Sequence, residues 1–532
     1  AWLDRGGARA ARLAMALAAL LAWLAIPSLT GTRLPADFLA GGGTLVDYRE
    51  GLEANVALVR RSADTLVLEI DRWWQGQDRK THQVMAAHLP LMLHPDPRRV
   101  LVVGVGAGQT PMRTTMYDVE RVDCIDIEPG VFDLIRAHFP SAWMDDARVR
   151  LLREDGRTYL THAAETYDVI ALEVGQVFRP GVASFYTADF YRRARARLRP
   201  GGLLSQFVPV SFLSPDEVRG VIATFVSVFP EATLWYNTAE LLLIGGLDTP
   251  PVLRPERLAQ LTSNPAIAED LRFSLWGGPA QWLVRPEVLL GGFLAGPPAL
   301  AALSDGAPVY RDDRPVLEYA ASGTRDRERS EIQSLPLIRR HLAALEGAAP
   351  GMSSDLAGAA GRVREQNLDD LEAAAHLRGV EAAGQGGDRD AMAAGLRLAL
   401  AANPANVQAN RLMGDTLFSL GQLEESGRYY RQALAIWDGD ARVHASLALV
   451  SLRQRQLDAA VEHYRTALAL GGDDAELRNS LGAALGMQGN LAAALEQFER
   501  AVALRPDFAD ARGNLAQARA ALDAQRAAGP GR

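Results

Sequence analysis

Hydrophobic and polar positions follow three rhythms along the chain. The first is an uncharged run from Leu13 to Gly31, about 19 residues rich in alanine and leucine, the length of a helix that crosses a bilayer core. Arg5, Arg9 and Arg12 precede it, as on a cytoplasmic flank. A cleaved signal peptide shares the basic start and apolar middle, but no A-x-A-like site directly follows the run. Residues 1–43 are therefore expected to hold a transmembrane helix and a linker, which predicts a membrane location.

The second rhythm has a period of two. Val56 and Leu58, then Leu66, Leu68 and Ile70, alternate with their neighbours on either side of Ser62-Ala63-Asp64, the pattern of a small hairpin sheet. His82–Leu93 reads as a helix stopped by Pro95-Asp-Pro97. These elements make an entry unit over 44–98. From Arg99, wholly apolar strands are expected at Val100–Gly104, Val122–Ile127, Val149–Arg153, Tyr167–Leu172 and Leu203–Val208. Helices fit between them at Pro129–His138 and at Thr187–Leu198, the latter ended by Arg199-Pro-Gly-Gly202. Such strands imply a parallel sheet covered on both faces. This α/β unit is expected over 99–345, less legibly from Pro250 to Ser334, followed by a linker over 346–368.

The third rhythm has a period of 34 residues. Gly414, Ala448 and Gly482 are equivalent small positions; Tyr430, Tyr464 and Phe498 share a second phase, and Ala433, Ala467 and Ala501 a third. Pro404 and Pro506 stand three periods apart. This is the tetratricopeptide pattern of stacked helix pairs, with the aromatics expected to fill the gap between neighbouring repeats. Three clear repeats and a degenerate one at Asp369–Asn403 put the array at 369–532. Its concave face predicts a protein partner.

Composition narrows the functional classes. Net charge is −8, which gives no electrostatic case for nucleic acid. Cys124 is the single cysteine, so no internal disulfide forms, and no Cys/His cluster has zinc spacing. No metal is expected. Cys124 lies inside an apolar strand and reads as core.

Candidate chemistry gathers at strand ends. Val100-Leu-Val-Val-Gly104-Val-Gly106-Ala-Gly108 ends one strand in a turn where backbone N–H groups can approach a ligand closely. Asp126 ends the next strand, about 20 residues on, where a carboxylate accepts the hydroxyl hydrogens of a ribose. The third strand runs into Glu154-Asp155-Gly156-Arg157, where Asp155 can accept from an adenine amino group. Three such signals at the carboxyl ends of successive strands point to a nucleoside crevice.

The stretch from Gly76 to Pro230 resembles the spermidine synthases, in particular bacterial spermidine-synthase-like proteins fused to a membrane region. The likeness is carried by Ala87–Gly104, Asp155-Gly-Arg157, Tyr167-Asp-Val-Ile170, Gly181–Thr187 and Pro200-Gly-Gly202, and by Asp312-Asp-Arg-Pro315-Val-Leu-Glu-Tyr319 late in the unit. It implies a Rossmann-like class I S-adenosylmethionine-dependent transferase fold with a small N-terminal β-hairpin sheet, joined here to an all-α tetratricopeptide solenoid. It further implies an inner-membrane protein whose other domains face the cytoplasm, and leaves a homodimer open. The co-substrate would be decarboxylated S-adenosylmethionine or a close relative, and the acceptor a small amine or polyamine. Gly104, Gly106 and Gly108 would lie against the ligand's tail, Asp126 would hold the ribose with Glu128 nearby, and Asp155 with Gly156 would face the adenine. Gln75 matches a glutamine near the nucleoside.

The sequence departs from that family where the amine is activated. The family's Asp-x-x-Asp-Pro segment is here Glu173-Val-Gly-Gln176-Val177. A neutral amide at Gln176 cannot take a proton, which leaves Glu173 as the local candidate base. Gln83 and Val84 replace a His-Glu pair beside the amine, and Ala107 replaces an acidic residue of the glycine-rich turn. The last change favours intact S-adenosylmethionine, and with it a methyltransferase. An inactive nucleoside-binding scaffold is the third reading.

Overall fold

The computed structural model describes residues 43–527 except 52, 63–64, 238–239, 276, 315, 322–326 and 386. The transmembrane helix expected over Leu13–Gly31 lies outside the described residues. Among those described, no helix is long and apolar enough to cross a membrane. The described residues thus speak against the expected inner-membrane location only in that none of their helices could span a bilayer, and a membrane partner is not shown.

The alternating segment forms a four-stranded antiparallel meander: β1 (Thr44–Glu50), β2 (Asn55–Ser62), β3 (Thr65–Ile70) and β4 (Trp73–Gln77), in that order. Its period-two pattern buries Val56, Leu58, Leu66 and Leu68. β4 escapes sequence reading because its turn lacks the usual Asn-Gly. Asp71 and Arg72 both take left-handed backbone, at φ 49° and 70°, a conformation that non-glycine residues adopt at a cost. Asp71 offsets part of that cost by accepting the Asn55 N–H at 3.0 Å.

Helix α1 (Gln83–Leu93) is buried along its whole length and leads into the main sheet. Its strands are β5 (Arg99–Val103), β6 (Arg121–Asp126), β7 (Val149–Arg153), β8 (Tyr167–Leu172), β9 (Leu198–Val208), β10 (Thr233–Asn237), β11 (Glu240–Gly246) and β12 (Phe293–Ala295). They lie in the order β12-β10-β11-β9-β8-β5-β6-β7. β7, β6, β5, β8 and β9 are parallel and the other three antiparallel, so the sheet is mixed rather than parallel throughout. The chain leaves β5 to one side for β6 and β7, then returns to its other side for β8. That reversal opens a crevice at the carboxyl edge.

Crossovers include α2 (Gln109–Thr114), α3 (Pro129–His138), α4 (Gly156–His162), α5 (Ala188–Arg195) and α6 (Pro215–Val226). The helix expected to run to Leu198 stops at Arg195. Pro200-Gly-Gly202 sits inside β9 as a bulge that slips its register on β8, with Gly201 at φ +75°. Glycine and proline thus mark a bulge here, not a helix end. The less legible stretch packs short helices and β12 against the sheet edge.

Residues 346–368, read as a linker, instead enter a long helix, α7 (Ser354–Gln385). Its first half is fastened to the α/β unit: Arg339 pairs with Asp369 at 2.7 Å and Asn367 donates to the Gly291 carbonyl at 3.0 Å. Its second half pairs with α8 (Arg389–Ala402). Three helix pairs follow, α9 (Val407–Ser419) with α10 (Leu423–Ile436), α11 (Ala441–Arg453) with α12 (Leu457–Gly471), and α13 (Ala475–Met487) with α14 (Leu491–Leu504), closed by α15 (Ala509–Ala527). The phased aromatics pack within a pair and also reach the next repeat, Tyr430 sharing one buried cluster with Val443, Leu447 and Val450, and Tyr464 another with Leu481 and Leu485. A Cβ on Gly414 would meet the Tyr430 ring at 2.5 Å, and one on Gly482 the Phe498 ring at 2.7 Å.

Candidate functional site

The carboxyl ends of β5, β6, β7 and β8 are tied edge to edge. Gly104 N–H donates to Ile125 O at 2.8 Å, Glu154 N–H to Asp126 O at 3.2 Å, and Glu173 N–H to Val103 O at 2.8 Å. A cavity of about 350 Å³ opens on this edge, roofed by the N-terminal meander. Gln75, Gly104, Gly106, Asp126, Glu128, Asp155, Gly156, Glu173 and Gln176 all line it.

The glycine-rich turn is shaped by the meander above it. Gly104 and Gly106 take left-handed backbone, at φ +85° and +52°, and a Cβ on Gly106 would lie 2.6 Å from the Gln75 carbonyl oxygen. Gly108 is not on the cavity wall; it precedes α2 and faces Trp143, whose ring a Cβ would meet at 2.9 Å. Ala107 is buried against Gly76. Ala107 thus packs on the meander and is not part of the cavity wall.

Asp126 holds the turn in place. Its carboxylate accepts the N–H groups of Val105 at 2.9 Å and of Glu128 at 3.0 Å, with the Gly106 N–H a further donor. Burial raises its pKa, and those backbone donors oppose the rise. Glu128 caps α3 by accepting the Gly130 N–H at 3.1 Å. Its Oε2 is buried without a partner among the described residues, as are Oε2 of Glu173 and Oε1 of Gln83. All three residues line the cavity, and buried acceptors left open suit a ligand that brings its own donors. Asp155 caps α4 through the Thr158 N–H at 2.7 Å, and Arg157 beside it is clamped by Asp312. Asp312 also accepts the Thr187 hydroxyl at 2.7 Å. The Asp312 motif therefore braces the loop behind the cavity instead of entering it.

Glu173 sees the cavity rather than bulk water, and burial pushes its pKa up to about 8, with the Thr110 hydroxyl a smaller opposing influence. Gln176 is held on both sides of its amide: it donates to the Trp74 carbonyl at 2.5 Å and accepts from Gln75 at 2.7 Å. Sequence reasoning missed Arg179, which lines the cavity and reaches Asp71 at 3.5 Å. Its signal is its place in the loop that follows Glu173.

A second cavity of about 360 Å³ adjoins the first, sharing Gln75, Gln83, Glu173, Gly175 and Gln176. Its far walls carry Trp73, Trp74, His82, Phe207 and Phe212, with Glu240 from β11 and Arg378 from α7. His82 is held neutral at physiological pH, because burial lowers its pKa to about 4. Among the described residues no group of three or more His, Cys, Asp or Glu is placed to hold a metal.

Known proteins match the same stretch. Residues 79–248 fit the family model of the spermine/spermidine synthase domain, and residues 408–436 that of a tetratricopeptide repeat. A polyamine aminopropyltransferase of Nitrosomonas europaea is 34% identical over 175 residues, 30% of this chain and 53% of the relative. One from Clostridium beijerinckii is 34% identical over 131 residues, covering 24% and 46%. One from Erwinia tasmaniensis is 28% identical over 271 residues, covering 48% and 91%. The chain thus spans about half the length of the first two relatives and most of the third. The crystal structure of spermidine synthase from Thermotoga maritima aligns at 20% identity and a TM-score of 0.37, over 42% of this chain and 78% of that one. The chain contains a spermine/spermidine synthase domain joined to tetratricopeptide repeats.

Proposed function

We propose that this protein is an aminopropyltransferase whose first cavity binds decarboxylated S-adenosylmethionine and whose second receives the acceptor amine. The three open acceptors on Glu128, Glu173 and Gln83 carry this reading. Asp126 and Glu128 suit the two ribose hydroxyls, Asp155 the adenine amino group, and Gly104 and Gly106 let the backbone close on the tail. Glu173 stands where the two cavities meet, beside the expected position of the sulfonium.

In the reaction the amine lone pair forms a bond to the methylene next to sulfur. The carbon–sulfur bond breaks and its electron pair stays on sulfur, giving 5′-methylthioadenosine. The new secondary ammonium loses a proton, to Glu173 in its ionised form or to water. A sulfonium is already a good leaving group, so the protein's part is alignment and proton acceptance. The repeat array serves as a protein-binding module.

The test is calorimetry on the full chain with decarboxylated S-adenosylmethionine, the intact compound and 5′-methylthioadenosine, followed by detection of 5′-methylthioadenosine release with amines. Tighter binding of the decarboxylated form with amine-dependent release supports the reading. Preference for the intact compound, or binding without release, refutes it.

A further inference from the structure

The second cavity has the wrong charges for a diamine. Its mouth carries Gln176 and Gln83, neutral amides where the resembled family has charged or titratable groups, and both sides of the Gln176 amide are already used. Deeper in, the charged side chains are Glu240 and Arg378, whose charges sum to zero. His82 adds none. Glu173 at the junction serves the sulfonium side, where its ionised form balances the ligand's own positive charge.

What the cavity offers instead is ring surface. Trp73 touches Phe178 with centroids 4.4 Å apart, and Phe178 touches Phe212 at 4.8 Å. The His82 ring lies 5.3 Å from Trp74 and 5.3 Å from Phe207. These contacts pack the wall rings against one another, with Trp73 at the exposed end. Such faces bury an apolar ring placed among them. A second ammonium would lose its hydration with no net negative charge to receive it. At about 360 Å³ the space is that of a ring-bearing ligand's pocket, and a four-carbon chain fills only a fraction of it.

We infer that the acceptor is a primary amine carrying a single positive charge and an apolar, ring-sized body, rather than an α,ω-diamine. This rests on the aminopropyltransferase reading above. The amine nitrogen points to the Glu173–Gln176 junction, and the ring lies among Trp73, Trp74, Phe207 and Phe212.

The experiment uses the full chain saturated with decarboxylated S-adenosylmethionine and measures 5′-methylthioadenosine release with phenethylamine, tryptamine, putrescine and cadaverine. The expected result is a kcat/KM at least tenfold higher for the two aromatic monoamines. Preference for either diamine overturns this inference, whereas release with none of the four while the decarboxylated compound binds refutes the parent reading. Failure of the decarboxylated compound to bind overturns the parent reading too. Arg378→Glu gives the cavity net negative charge and should raise putrescine turnover relative to tryptamine, with nucleoside affinity as the folding control. Should that variant not fold, quenching of tryptophan fluorescence in the wild-type protein with 5′-methylthioadenosine present serves in its place. Phenethylamine should then quench at lower concentration than putrescine, and the reverse order refutes the idea.

Discussion

Glu173 makes the affinity for a sulfonium ligand depend on pH, by an amount that follows from its surroundings. Burial holds its carboxyl up to about 8, so at pH 7 roughly one molecule in ten carries the charge, and ionising the rest costs about 1.4 kcal/mol. A sulfonium beside it favours the ionised form. If the cation binds only to that form, affinity rises about tenfold between pH 7 and 9, up to about a hundredfold from pH 6, and levels off above pH 8. Close to one proton is released on binding at pH 7. The product, 5′-methylthioadenosine, is a neutral thioether and gains nothing from the charge, so its affinity stays flat or falls over the same range. Calorimetry in two buffers of different ionisation enthalpy measures both the affinity and the proton count. Glu173→Gln should abolish the slope for the cation and leave the product unaffected. Equal slopes for the two ligands, or a wild-type slope surviving in Glu173→Gln, would refute the linkage.

Four further outcomes are expected. Gly106→Ala puts a methyl 2.6 Å from the Gln75 carbonyl oxygen in a left-handed conformation, and should weaken nucleoside binding by at least about tenfold, since neither backbone can yield cheaply; unchanged affinity by calorimetry would contradict the close approach. Gln176→Asp restores a proton acceptor at the junction and should raise the rate of 5′-methylthioadenosine release by about tenfold or more, although the lost donor to Trp74 costs about 1 kcal/mol of stability. Gly414→Ala forces a methyl into the Tyr430 ring and should cost about 1–3 kcal/mol in the array, read by urea unfolding, while nucleoside affinity stays unchanged. Asp370 on α7 is raised to about 7 by burial, against a hydrogen bond from Asn403; its folded pKa exceeds its unfolded one, so the stability tied to its neutral form is present in acid and lost as pH rises through about 7. Thermal unfolding should therefore show a smaller loss between pH 5.5 and 8.5 in Asp370→Asn than in the wild type, and identical losses would dismiss the assignment.

How much of this was legible in the sequence depends on how far apart the cooperating residues lie. The first cavity could be read because each contribution sits at the end of an apolar strand: Gly104 after β5, Asp126 closing β6, Asp155 after β7 and Glu173 after β8. The parallel pairing of those strands then brings the four ends to one edge, so local pattern and global topology agree. The same local reading misassigned Gly108 and Ala107, because one motif mixes glycines that face a ligand with residues that pack on Trp143 and Gly76. The second cavity was legible only in part, through Gln83 and Gln176, for a different reason. Its walls come from β4, β9, β11 and α7, and the turn that presents Trp73 and Trp74 uses Asp71-Arg72 in place of a recognisable turn pair. Arg378 reaches it only because α7 runs unbroken from the α/β unit into the repeat array, across residues that looked like a linker. A charge at that wall is therefore set by a helix whose other face belongs to the solenoid. The wall of the second cavity and the repeat array thus share one element.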